Sequence, residues 1–167
     1  MAISNFDILN VAKYYKLPLN GVFMKDTLPN VPKNGGYVVN LDSSTDPRDG
    51  THWCSIYFNN KDVLYVDSYG QLPTQETINF MNKVNKHWAN NTKQIQSWNS
   101  ELCGFYSLAA IMAITIGLNN NESIFDSFND FANMFNIDPN KNDKILRQYF
   151  MQFKHKNKVI QKMLNEH

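Results

Sequence analysis

Two β-rich runs, residues 52–58 (HWCSIYF) and 61–67 (KDVLYVD), are separated only by Asn59-Asn60. No other feature restricts the fold of this chain as much. Asparagine tolerates the positive φ that a two-residue hairpin turn requires. With the turn at Asn59-Asn60, His52 falls directly opposite Asp67, with Cβ atoms about 4.5–5.5 Å apart. A turn at Asn60-Lys61 is the competing register. In either case the hairpin carries an imidazole and a carboxylate to the same end of a sheet.

A second constraint is the stretch 101–116, which is apolar nearly all round and is expected as a helix through the core, with Asn99 or Ser100 as cap and Gly117 as stop. Elsewhere the periodicity predicts a helix over 5–16, capped by Ser4 or Asn5 and followed by Pro18. Residues 18–33 read as loop with room for a short strand, and 36–41 (GYVVNL) as a strand. Residues 42–49 are turn formers and predict a surface loop. A helix is expected over 75–90 with Thr74 as cap, a short strand over 92–98, and helices over 124–135 and 141–164. The last carries a basic outer face of Lys154, His155, Lys156, Lys158 and Lys162.

The bulk numbers narrow the class. A chain of 167 residues, 43% hydrophobic and 13% aromatic, suits one domain, residues 1–167, with its own core. A net charge of +1 gives no general electrostatic footprint for nucleic acid. The start lacks the basic and apolar regions of a signal peptide. The longest apolar run, 108–118, is too short to span a bilayer. A soluble, intracellular monomer without membrane contact is the expectation. Two cysteines and four histidines show no disulfide framework and no zinc-ligand spacing along the chain.

Cys103 lies in the first turn of the expected core helix, where unpaired N–H groups and the helix dipole favour a thiolate. Gly104 after it leaves room for a substrate backbone. Composition alone makes Cys103 an ordinary small core residue, the usual fate of a cysteine in an apolar helix. His52 alone reads as a loop histidine and Asp67 as a turn residue ahead of Ser68 and Gly70. Their shared hairpin raises both, because a base needs an orienting carboxylate. Gln96 is polar in an otherwise β-like segment just before the nucleophile helix. Cys54 reads as a small buried hydrophobe and Trp53 as a packing platform. His87, His155 and His167 lie on charged surface segments.

Gly50-Thr51-His52-Trp53, then Tyr65-Val66-Asp67-Ser68-Tyr69-Gly70, then the run from Gln96 to Cys103-Gly104 occur in one order. That order resembles the adenovirus-type (adenain-like) maturation cysteine proteases and their relatives in virophages, Polinton-like elements and large DNA viruses. In appearance it is nearest the virophage capsid-maturation proteases of the Mavirus kind, and more distantly the ubiquitin-like-protein proteases.

The resemblance implies an α+β fold, with a central mostly antiparallel sheet packed against a buried helix bearing the nucleophile, and flanking helices. It implies Cys103 as nucleophile, His52 as base, Asp67 as its orienting acid, and an oxyanion hole made by the Gln96 side chain and the Cys103 backbone N–H. Trp53 and Gly104 become neighbours of the substrate groove. The substrates it implies are viral capsid and other structural-protein precursors, cut next to small residues in the virion or the infected cell. It also implies no metal or other cofactor, although a peptide or DNA activator occurs in the family. A disulfide-tethered activator is not expected, because no cysteine lies between Asp67 and Gln96. DNA binding has only the basic C-terminal segment to support it. Two other readings stay open: an isopeptidase acting on ubiquitin-like modifiers, and a catalytically silent binding module on the same scaffold.

Overall fold

The computed structural model describes residues 2–47 and 51–166. Gly50 of the first motif and the end of the expected surface loop therefore lie outside the described residues. The architecture is α+β: a five-stranded sheet in the order β1 (Leu19–Met24), β2 (Gly35–Asn40), β3 (Trp53–Asn59), β4 (Asp62–Val66) and β5 (Ala89–Asn90), flanked by helices. The centre, β2-β3-β4, is antiparallel, whereas β1 pairs with β2 and β5 with β4 in parallel. The parallel edges are long-range pairings that leave no hairpin signal.

The hairpin forms in the competing register. Asn59 pairs with Asp62 and Ser55 with Val66, so the turn is Asn60-Lys61. Asn60 takes the positive φ (56°), and its N–H donates to Asn34 Oδ1 at 2.9 Å. A shift of two residues preserves which side chains share a face, so the chemistry expected of the hairpin survives.

Both faces of the sheet are covered. Helix α3 (Cys103–Asn119) packs on one, over β3 and β2, in a core that includes Trp53, Tyr57, Leu64 and Val66. The other face buries Tyr37, Val39, Cys54, Ile56, Phe58 and Tyr65 against Phe80 and Met81 of α2 (Gln75–Met81). Burial on both sides explains why β3 reads as a near-continuous apolar run without alternation.

Helix α1 (Asn5–Tyr14) starts at a Ser4–Asp7 capping box. Helix α3 runs past Gly117, which is a packing site and not a stop: a Cβ there would collide with Ser127 Oγ on α4 (Ile124–Asn133).

Three expected elements come out differently, and asparagine is responsible in two of them. The helix expected over 75–90 ends at Met81. Beyond it Asn82 Oδ1 accepts from Trp88 Nε1, Asn85 Oδ1 from the His87 N–H, and Asn85 Nδ2 donates to the Lys61 carbonyl. Asparagine competes in this way with a helical ladder. The helix expected over 141–164 is two, α5 (Asn142–Met151) and α6 (Lys158–Asn165), because Asn157 caps the second by accepting from the Val159 and Ile160 N–H groups. Lys154, His155 and Lys156 therefore lie in a link and not on a helix face. Residues 92–98 form no strand; there the Ile95 and Gln96 N–H groups both donate to the Ser68 carbonyl.

Candidate active site

The segment before β3 is pinned to the end of β2. The Leu41 N–H donates to the His52 carbonyl at 3.0 Å, and the Thr51 N–H and Oγ1 donate to Asp42 Oδ2 at 2.9 and 3.1 Å. The register places Asp67 diagonal to His52, still within side-chain reach. His52 Nε2 and Asp67 Oδ1 are 2.7 Å apart. Asp67 is fully buried, and its backbone is clamped by Asn91, which accepts from the Asp67 N–H (2.8 Å) and donates to the Asp67 carbonyl (2.6 Å).

Cys103 begins α3 and keeps 9% of its residue surface, against 0% for Cys54. Burial works against a charged His52 ring, but hydrogen bonding to Asp67, Cys103 and Cys54 outweighs it and pushes the imidazole pKa up to about 12. The Asp67 bond occupies Nε2. Nδ1 is buried and closes no hydrogen bond among the described residues, which leaves it as the ring nitrogen available to a thiol. The Cys103 thiol acts on the imidazole's pKa without closing a hydrogen bond to Nδ1 among the described residues.

Gln96 is fully buried and oriented from both ends. Its Oε1 accepts from Ser68 Oγ, and its Nε2 donates to the Ser100 carbonyl at 2.8 Å. Among the described residues one amide hydrogen of Nε2 remains uncommitted. The segment leading into α3 is itself held: the Leu102 N–H donates to Ser100 Oγ, while Ser100 Oγ and Tyr106 OH both donate to Asp143 Oδ1 of α5. Ser100 therefore orders the approach to the helix, although the N-cap position is Leu102, without a side-chain cap. The first-turn N–H groups of α3 have no intrahelical acceptors.

The surroundings of Gly104 differ from the expected open groove. A Cβ there would meet Ile3 at 2.6 Å and Trp53 at 3.3 Å. Trp53 Nε1 donates to the Ile3 carbonyl at 3.2 Å. The N-terminal segment thus fills the space beside Gly104. Beyond it a cleft of about 780 Å3 is lined by Ile3, Phe6, Phe23, Met24, Asn40 and Trp53 among others, but by neither His52 nor Cys103.

Sequence reasoning missed four contributors. Ser68 joins the carboxylate segment to Gln96. Tyr69 stacks on His52, and Asn91 clamps Asp67. Cys54, expected as a mere core residue, stands with His52 and Asp67 so that a nitrogen, a sulfur and an oxygen all lie within 4.8 Å of one another. Only the His52–Cys54 spacing of two along one strand could have hinted at the last. Ligand spacing absent from the chain is created by the hairpin.

No protein-family model and no curated protein matches this chain. Among solved structures it is similar to two crystal structures of the ASFV pS273R protease, one of them in selenomethionine form. Both superpose with a TM-score of 0.46, at 20% and 18% identity, over 76% of this chain and 61% of that chain. The match thus spans about three fifths of that protease. A likeness of this strength assigns no function; the residues of the site have to carry it.

Proposed function

We propose that the chain is a cysteine-type endopeptidase acting by acyl transfer. The observation that carries this reading is His52 held at 2.7 Å by the buried Asp67, with the thiol at the first residue of α3 near enough to raise the pKa of its imidazole. A base oriented by a carboxylate beside a thiol at a helix N-terminus is the arrangement that activates a sulfur nucleophile.

In this mechanism the Cys103 proton resides on His52, and the sulfur attacks a peptide carbonyl carbon. The developing oxyanion is met by the free N–H of Gln96 Nε2 and the backbone N–H of Cys103. The C–N bond breaks as His52 protonates the leaving amine. Water, deprotonated by His52, then hydrolyses the thioester and restores the thiol. The resemblance of the ordered motifs supports viral structural-protein precursors, cut beside small residues, as the substrates.

The experiment has two arms. Iodoacetamide should alkylate Cys103 well below pH 8 in the native chain, and with the profile of an ordinary thiol of pKa about 8.5 in His52→Ala. Identical ordinary profiles in both proteins would sink the peptidase reading. Structural-protein precursors from a candidate virus should be cut by the native chain and not by Cys103→Ala. Cleavage only of a fusion ending in the Gly-Gly of a ubiquitin-like modifier would replace this substrate class with deconjugation.

A further inference from the structure

We propose that His52, Cys54 and Asp67 form a binding site for a soft divalent cation of the zinc class, placed so that filling it removes the base from the candidate active site. The inhibitory consequence rests on the peptidase reading; the binding does not. Each of the three side chains offers one ligand atom, and these atoms lie within 4.8 Å of one another. Imidazole nitrogen, thiolate sulfur and carboxylate oxygen are the donors that zinc sites use, and three protein ligands leave a fourth position for water or Cys103.

The site is also short of a partner. Asp67 Oδ2 is buried without a hydrogen bond among the described residues, although Oδ1 of the same carboxylate serves both His52 and the Tyr69 N–H. His52 Nδ1 closes no hydrogen bond among the described residues either. Buried polar atoms are seldom left so, and here the carboxylate oxygen belongs to a side chain in the cluster itself. Continuing the β3–β4 register one step past Ser55–Val66 sets Cys54 opposite Asp67, so the backbone already holds two ligands face to face. The mechanism proposed above makes no use of Cys54.

Charge favours occupancy. Neutral His52, thiolate Cys54 and carboxylate Asp67 offset a dication, leaving no net charge in a place where Cys54 and Asp67 are fully buried. On binding at Nε2, the cation replaces the Cys54 thiol proton and the Nε2 proton of the charged imidazole, whose Nδ1 keeps its hydrogen. Both protons pass to water, and nothing is oxidised or reduced. With its imidazole ligated, His52 cannot accept the proton of Cys103.

The chain has two cysteines, so Cys103→Ser retains Cys54 as its only thiol. Co2+, standing in for Zn2+, should give thiolate-to-cobalt charge-transfer absorption at one equivalent in both native protein and Cys103→Ser. Zn2+ should displace it, and Cys54→Ala should lack it. Absence of the band in Cys103→Ser overturns the site, whatever the native protein shows, because any cation then sits on Cys103. The Cys103→Ser result decides this even where Cys54→Ala does not fold. Zn2+ inhibition, taken relative to each protein's own zinc-free rate, should weaken in Cys54→Ala by more than the roughly 10–100-fold that loss of an outer-shell partner costs; equal inhibition would overturn the link to activity. The absorption needs no turnover, so failure of the peptidase reading leaves it legible.

Discussion

The phenol ring of Tyr69 lies flat against the imidazole of His52, with centroids 4.4 Å apart and planes 21° from parallel. Tyr69 stacks in turn on Trp98 at 4.4 Å and 24°. The Tyr69 N–H donates to Asp67 Oδ1 at 2.8 Å, so one residue touches both the ring and the carboxylate that orients it.

The stack holds the base in plane, so its ring matters and its hydroxyl does not. Tyr69→Ala should lower kcat/KM by up to about 100-fold, the cost of misplacing a reacting group by roughly an ångström. Tyr69→Phe should restore most of the loss. Peptide hydrolysis by both variants across pH 5–9 checks this; equal losses in the two would assign the effect to the hydroxyl.

Stability should fall as pH rises through the neutral range. His52 has its pKa raised to about 12 against an ordinary 6.5, so the folded state binds its proton more tightly than the unfolded chain does. This contribution is fully present below about pH 6.5 and is lost as pH climbs toward the folded value, at no more than about 1.4 kcal/mol per pH unit for one proton. Cys54, pushed up to about 11 by burial, has the same sign but acts only above the ordinary thiol range. Urea denaturation between pH 6.5 and 8 should show a steeper decline for the native chain than for His52→Gln. Parallel slopes would remove His52 as the source.

Gln96 and Ser68 should separate by degree. Gln96→Ala removes an oxyanion donor and should cost roughly 2.7–4 kcal/mol of transition-state stabilisation, chiefly in kcat. Ser68→Ala leaves the amide present but frees the Oε1 end, so its loss in kcat should be smaller. Steady-state kinetics with thermal melts distinguish this from simple destabilisation. A Ser68→Ala loss equal to that of Gln96→Ala would mean that the hydroxyl itself acts.

The contact between α3 and α4 admits no added atom at residue 117. Gly117→Ala would drive a methyl into both Cβ and Oγ of Ser127, and overpacking of this kind costs about 1–3 kcal/mol. Adding Ser127→Gly should recover part of that loss. Urea midpoints of the two single variants and the double variant test the coupling; strict additivity would show that the helices had simply moved apart.

Several elements were legible because their causes are local. Ser4 and Thr74 each cap the helix that follows, as the sequence implied. Cys103 opens α3 as its position before the apolar run implied. The hairpin, too, was visible, with its two candidate turns. What selected Asn60-Lys61 is not local: Asn60 is bonded to Asn34, 26 residues away, and β2 holds the other edge of β3. The strand expected over 92–98 misled for a similar reason. Its apolar and polar alternation serves two bonds to the Ser68 carbonyl and the burial of Ile95 and Gln96, without any ladder.

The opening hairpin marks the division most clearly. By itself the sequence determined that an imidazole and a carboxylate share one end of a sheet, and that a thiol begins the core helix, because strand alternation and helix capping act over a few residues. Only the tertiary structure decided which nitrogen of His52 meets Asp67, which way the Gln96 amide is turned, that Ile3 fills the space beside Gly104, and that Cys54 joins the histidine and the aspartate. Those outcomes depend on distances between atoms far apart in the chain, which are set only when both faces of the sheet are packed.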